Sequence, residues 1–248
     1  MKLGIISDIH GNAAALKAVL AKLQDDHHVD MIYCLGDLIG YGPDTNEVLE
    51  LLFSREDVAM VTGNHDEAIL ALLTNTPYPD YHPNLKEHHE WIAHHIDLSY
   101  VPHLQQLPRV ITREINHVHL WFAHYQLVPG HETLTIADEP FSPIVGINPY
   151  QLDQLFKDVM ADLICFGHRH PLHYFKTAHS TYLNPGALGC SRTQTAPYAL
   201  VSLTNHTMNI ELHNAPYDNT AFLASYATLQ VPDRAYILKM MHGNQQLR

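Results

Sequence analysis

The stretch LGIISDIHGNAAALKAVLAKL, residues 3–23, decides how the rest of the chain is read. LGIIS (3–7) has the length and apolar content of a buried β-strand, and NAAALKAVLAKL (12–23) spaces Ala, Leu and Val as one face of an amphipathic helix. Between them stand Asp8 and His10, a carboxylate and an imidazole two residues apart beyond the strand end. Alone, the triplet reads as turn and cap chemistry. Its meaning depends on whether the arrangement recurs.

It recurs four more times. MIYCLG (31–36) is followed by Asp37, VAMVTG (58–63) by Asn64, LWFA (120–123) by His124, and LICFG (163–167) by His168, which has His170 two residues on. Helical patterns alternate with the runs: DTNEVLELLF (44–53), opening on Asp44 with Glu47 three residues later as in a capping box, and HDEAILALL (65–73). Alternation of this kind predicts strands covered by helices, taken by itself one doubly wound sheet, with ligands bound beyond the carboxyl ends of the strands. On extended backbone, residues i and i+2 share a face, so Asp8/His10 and His168/His170 would each close on one atom.

The inventory is then Asp8, His10, Asp37, Asn64, His124, His168 and His170. Seven oxygen and imidazole donors exceed one tetrahedral zinc and suit two divalent ions sharing a bridging carboxylate. With no thiolate in the set, manganese, iron, zinc, cobalt or nickel would fit, and softness does not choose between them; manganese is taken as the first expectation. Each piece has a structural reading as well: GDLIGYGPD (36–44) as a glycine-rich turn, GNHDEA (63–68) as a helix start capped by Asn64, and His168/His170 as two surface residues among 21 histidines. Their succession at strand ends favours the metal centre.

The other segments complete one domain over 1–248. TNTPYPDYHPN (74–84) reads as a loop and LKEHHEWIAHHI (85–96) as a helix; RVITREINHVHLWFAH (109–124) reads as two strands turning near Asn116. TIADEPFSPIVGINP (135–149) is a proline-rich loop and a candidate lid, followed by a helix with Pro149 at its start. HYFKTAHSTYLNPG (173–186), YALVSLT (198–204) and HTMNIELHN (206–214) read as antiparallel strands, with a helical C-terminal segment from about 217. His131 and the helix histidines His88, His89, His94 and His95 read as solvated surface, with an additional metal as the alternative.

Fourteen Lys and Arg against 26 Asp and Glu give a formal charge of −12, which disfavours extended nucleic acid and anionic membrane surfaces. Cys34, Cys165 and Cys190 are odd in number and lack C-x-x-C spacing, so core thiols of a reducing compartment are expected. No apolar run approaches a signal segment or a membrane span, which points to a cytoplasmic protein.

DIH (8–10), GDLIGYGPD (36–44), GNHD (63–66), AHY (123–125), GHRH (167–170) and NPGALG (184–189) together resemble the calcineurin-like metallophosphoesterases, in particular their compact bacterial phosphodiesterase branch. The resemblance runs from residue 5 to about 203. It implies a sandwich of two packed mixed β-sheets flanked by helices instead of one doubly wound sheet. It implies Asp8, His10, Asp37 and His170 on one metal, Asp37, Asn64, His124 and His168 on the other, and His65 contacting the phosphate and protonating the leaving group. The activity implied is hydrolysis of small phosphodiester or nucleotide substrates, dinucleoside polyphosphates among them, by a hydroxide bridging the metals. A nuclease or protein phosphatase on the same core, or a non-catalytic scaffold, are the alternatives. Asn12, Tyr125, where relatives often keep glycine, and Arg192 are the expected substrate contacts. Arg169, between the last two histidines, is expected to turn away from the metals.

Overall fold

The computed structural model describes residues 1–80, 85–205 and 207–245; the end of the expected 74–84 loop and His206 lie outside the described residues. The first sheet is built from β1 (Lys2–Ile6), β2 (Met31–Cys34), β3 (Val58–Met60), β9 (Thr195–Thr204) and β10 (Thr207–Pro216), in the order β10-β9-β1-β2-β3. The second holds β4 (Val110–Ile115), β5 (Val118–Ala123), β6 (Leu163–Phe166), β7 (His173–Lys176) and β8 (Thr181–Asn184), in the order β4-β5-β6-β8-β7. Each sheet is mixed. β1-β2-β3 and β5-β6-β8 run parallel, and antiparallel partners flank them.

Residue alternation explains the layering. Leu3 and Ile5 of β1, Tyr33 of β2 and Ala199, Val201 and Leu203 of β9 meet Leu120 and Phe122 of β5, Leu163 and Cys165 of β6 and Leu183 of β8 in one buried layer between the sheets. Tyr33 stacks on Phe122 across that layer with ring centroids 3.9 Å apart and planes within 2°. The intervening side chains Ile6, Ile32 and Cys34 face outward under helices. This two-sheet sandwich replaces the single doubly wound sheet: runs buried on both faces look alike whether helices cover both sides or a second sheet covers one.

Helices α1 (Ala13–Ala21), α2 (Thr45–Phe53), α3 (Asn64–Thr74), α4 (Lys86–His95) and α5 (Val101–Gln105) lie on the first sheet's outer side. Leu16, Val19, Leu20 and Leu23 fill one face of α1 and its π-helical continuation Lys22–Asp26. The expected capping box at α2 does not form. Asp44 makes no side-chain bond to that helix, its carboxylate accepting instead from Ala13 N at 3.4 Å, while Glu47 pairs with Lys17 of α1. α6 (Pro149–Leu155) covers the second sheet through Leu152, packed with Phe156, Phe166 and Tyr182. The β4–β5 turn falls where expected, Asn116 and His117 both taking positive φ (52° and 60°) as a two-residue hairpin turn requires. The C-terminal segment forms α7 (Thr220–Thr228) and α8 (Arg234–Met240), whose Phe222, Leu223, Tyr226, Ile237 and Leu238 pack with Tyr41.

Candidate metal centre

The parallel strands of both sheets deliver their carboxyl ends to one end of the sandwich. Asp8, Asp37, Asn64, His124 and His168 follow β1, β2, β3, β5 and β6, so the first sheet contributes the acids and the amide, and the second sheet the imidazoles of His124, His168 and His170. All seven expected donors come together, by a backbone route other than strand alternation. Asp8, His10, Asp37 and His168 take φ of 53°, 48°, 51° and 65°, left-handed turns beyond the strand ends. Non-glycine residues there cost of order 1–3 kcal/mol each and persist where surrounding bonds fix them.

Those bonds are present. Asp8 N, His10 N and Gly11 N donate to Gly36, Asp37 and Leu38 carbonyls, zipping the first loop to the second. NPGALG staples first to last: Ala187 N donates to His170 O, Leu188 N to Ser7 O and Gly189 N to Asp8 O, while Asn184 Nδ2 donates to Gly167 O and Arg169 O. Asp66, fully buried on the first turn of α3, accepts from Gly63 N (2.9 Å) and Ile39 N (3.1 Å) and so ties the second loop to the third. Burial, reinforced by Asp37, raises its carboxyl pKa to about 7. Gly63 has no substitute, since a methyl group there would overlap Asp37 Oδ1.

Two donor groups share Asp37. In one, His124 Nδ1 donates to Leu35 O (2.8 Å), leaving the Nε2 lone pair directed at Asn64 Oδ1 (2.9 Å) and Asp37 Oδ2 (3.3 Å), with His168 Nδ1 2.8 Å from Asn64 Oδ1. Lone pairs facing one another in a buried site are stable only around positive charge, and this set fits a divalent cation. His124 registers the same demand: burial disfavours its cation, but Asp37 overrides burial and raises the pKa to about 9. In the other group, His10 Nε2 lies 3.7 Å from Asp37 Oδ2 and 3.8 Å from Asp8 Oδ1, and His170 Nε2 lies 3.8 Å from Asp8 Oδ1. Asp8 Oδ1 is buried with no hydrogen-bond partner among the described residues, as befits a metal donor. Burial drives His10 well below the usual histidine range and raises Asp8. At Asp37 burial opposes ionisation, and the imidazoles of His124, His65 and His10 together outweigh it, holding the carboxyl well below the usual range.

Several expectations need correction. Tyr125 is 1% exposed; following His124, it turns to the outer face of the second sheet with Phe156 and Phe166, its ring 5.0 Å from that of His168. Its hydroxyl accepts from Val145 N (3.2 Å), and Arg169 donates to Val145 O (2.8 Å), so together they clamp the proline-rich loop. That loop walls a cavity of about 350 Å³ lined by Asn64, His168, Phe141, Pro143 and Ile144. Asn12 is buried as the cap of α1, accepting from Ala15 N and donating to Gly189 O and Tyr217 Oη. Arg192 is exposed along Gly243 and lines a separate surface cavity with Gln194 and Asn219.

Cys190, read as a core thiol, lies with His10 and His170 such that their donor atoms fall within 4.8 Å of one another, and burial keeps its thiol protonated. His88 and His89 are fully buried, against the surface reading, whereas His94 and His95 are exposed. His89 Nε2 sits 2.9 Å from His65 Nδ1, and His89 Nδ1 is 2.8 Å from Tyr78 Oη. No spacing signal marked this partner: it comes from α4, 24 residues away.

An uncharacterized protein of Methanocaldococcus jannaschii is 27% identical over 231 residues, 87% of this chain and 88% of its own. The symmetrical bis(5'-nucleosyl)-tetraphosphatase of Sodalis glossinidius is 44% identical over 69 residues, which span 27% of this chain and 24% of that enzyme. A hypothetical protein of Pyrococcus horikoshii shares the fold, with a TM-score of 0.78, 20% identity and 98% of each chain covered. The calcineurin-like phosphoesterase superfamily domain matches residues 1–206, every strand-end donor included. Carrying that domain over most of its length, the chain belongs to the calcineurin-like phosphoesterase superfamily and is a metal-dependent phosphoester hydrolase.

Proposed function

We propose that the protein hydrolyses small phosphodiester or nucleotide substrates, dinucleoside polyphosphates among them, at a dinuclear centre. Asp8, His10, Asp37 and His170 hold one divalent ion and Asp37, Asn64, His124 and His168 the other, manganese being the first candidate. The meeting of the two donor groups at Asp37, through His10 (3.7 Å) in one and His124 (3.3 Å) in the other, carries the reading. Bound there, such ions would supply positive charge to phosphoryl oxygens and lower the pKa of a water molecule towards neutrality.

The chain supplies the rest. Asp37 reaches both groups through one oxygen, while its other oxygen accepts from His65 N (2.9 Å), which fixes the first turn of α3 against the centre. That turn presents the positive end of the helix dipole to the phosphate. A ring nitrogen of His65 lies within 4.8 Å of donor atoms of His10 and Asp37, which supports reading it as the group that protonates the departing oxygen. The apolar cavity beside Asn64 and His168 has room for a nucleobase, and the short stretch of likeness to a nucleosyl tetraphosphatase supports the same substrate class. The charge of −12 favours small substrates over nucleic acid. No helix among the described residues is long and apolar enough to cross a membrane, and with three free cysteines this supports a cytoplasmic site of action.

The test is turnover after chelation and reloading with Mn²⁺ or another divalent ion, on generic phosphodiesters and phosphomonoesters and then on mono- and dinucleoside polyphosphates. Absence of turnover with every ion would refute it. His65→Ala is expected to lower turnover by about 10²–10⁴-fold with metal content retained; loss of metal would reassign His65 as a ligand.

A further inference from the structure

Of the two buried histidines of α4, His89 is unexplained by the metal centre, and its geometry points to a task. His89 is fully buried, packs edge-on to His65 with ring centroids 5.0 Å apart, and joins His65 Nδ1 to the Tyr78 hydroxyl through its two nitrogens. We propose that His89, anchored by Tyr78, is the positioning residue of His65, holding the ring so that Nε2 alone serves the leaving oxygen. This rests on the reading of His65 as proton donor given above.

The hydrogen-bond inventory sets the polarity. A histidine that gives up a proton at Nε2 must retain Nδ1–H in both charge states if its ring is to stay put. Nδ1–H therefore donates to the lone pair of His89 Nε2, and His89 carries its own hydrogen on Nδ1, donating to Tyr78 Oη. In the step itself the Nε2–H bond of the His65 cation breaks, its electron pair stays on Nε2, and the proton forms the O–H bond of the leaving alcohol. His65 ends neutral with its bond to His89 unchanged. Burial pushes the Tyr78 phenol well above its usual pKa, so it stays an uncharged anchor.

A neutral imidazole suits this place better than a carboxylate. Asp8, Asp37 and Asp66 already crowd the site with three buried carboxyls that repel one another. A further anion would worsen that repulsion, whereas an imidazole orients His65 without adding charge.

Two measurements test the proposal. Ring ¹⁵N–¹H correlation spectra of the intact protein should show His89 as the Nδ1–H tautomer, with the His65 Nδ1 hydrogen shared with His89 Nε2; hydrogen on His89 Nε2 would overturn it whether or not the enzyme turns over. In kinetics, His89→Leu fills the space without an acceptor, and His89→Gln restores one. On a dinucleotide, whose alkoxide must be protonated, His89→Leu should lower kcat by about 100-fold, the scale of a lost general acid. On bis(p-nitrophenyl) phosphate, whose phenolate leaves unaided, it should stay within about threefold, and His89→Gln should recover most of the dinucleotide rate. Equal losses on both esters, loss of bound metal, or no rescue by glutamine would overturn it. Inactivity of the wild-type chain on every ester would instead refute the proposed function and leave the tautomer result to decide the hydrogen-bond chain.

Discussion

Replacing Tyr125 by phenylalanine should loosen the wall of the substrate cavity while leaving the metal donors alone. The hydroxyl accepts from Val145 N at 3.2 Å, and the ring packs against His168, Phe166 and Phe156, contacts that phenylalanine keeps, so Tyr125→Phe removes one hydrogen bond and little packing. Val145 keeps its second anchor, the 2.8 Å bond from Arg169 to its carbonyl. A neutral hydrogen bond contributes about 1 kcal/mol net, so the ordered loop should lose about fivefold in population relative to open forms. If Phe141, Pro143 and Ile144 seat a base, kcat/KM for a dinucleoside polyphosphate falls by about that factor, through KM, because binding is what the loop supports. For p-nitrophenyl phosphate, too small to need the wall, both constants should hold. Arg169→Met removes the charged partner, worth about 1.5–3 kcal/mol, and should deepen the KM effect to about 10–100-fold. Steady-state kinetics on the two substrates, with metal content measured in parallel, decides it. Equal losses on both, or none on either, would refute the link between the clamp and substrate selection.

Three further outcomes follow from the same geometry. His88 and His242 are buried and burial lowers each from 6.5 to about 4, so the unfolded chain takes up protons that the fold refuses; this stability is intact above pH 6.5 and falls, by about 3 kcal/mol per histidine, as pH drops to 4. Urea midpoints of the chelated protein against pH should therefore show a shallower acid slope in His88→Gln than in wild type, and parallel slopes would contradict the assignment. Asp37→Ala should abolish metal binding at both sites and reduce turnover by at least about 10³-fold with the circular dichroism spectrum retained; a variant that keeps one full site would show that Asp37 does not bridge. Gly63→Ala should cost metal affinity as well as stability, because the added methyl displaces Asp37, and calorimetric metal titration with unchanged affinity would disprove that contact.

The strand ends were legible because two simple signals coincide there: an apolar run that must be buried, and a polar side chain directly after it that burial alone does not explain. Asp8, Asp37, Asn64, His124 and His168 were found that way. The pairing of Asp8 with His10 was anticipated for the wrong reason, since side-chain alternation presumes extended backbone and both residues are left-handed, a conformation that Asp and His carry no obligatory mark for. The face that Tyr125 takes was hidden by a related gap. Its distance from the metals in sequence is one residue, but which face it takes depends on a sheet packed behind β5, and that sheet was not apparent in the order of apolar runs. His89 is the clearest case. A histidine on a helix face carries no periodic signal when its hydrogen-bond partners lie outside its own helix, so among 21 histidines it looked like surface. What sequence patterning captures is burial and period; what it misses here are the tertiary contacts that aim a side chain already found: Asp66 tying two loops together, Tyr125 and Arg169 holding Val145, and His89 meeting His65.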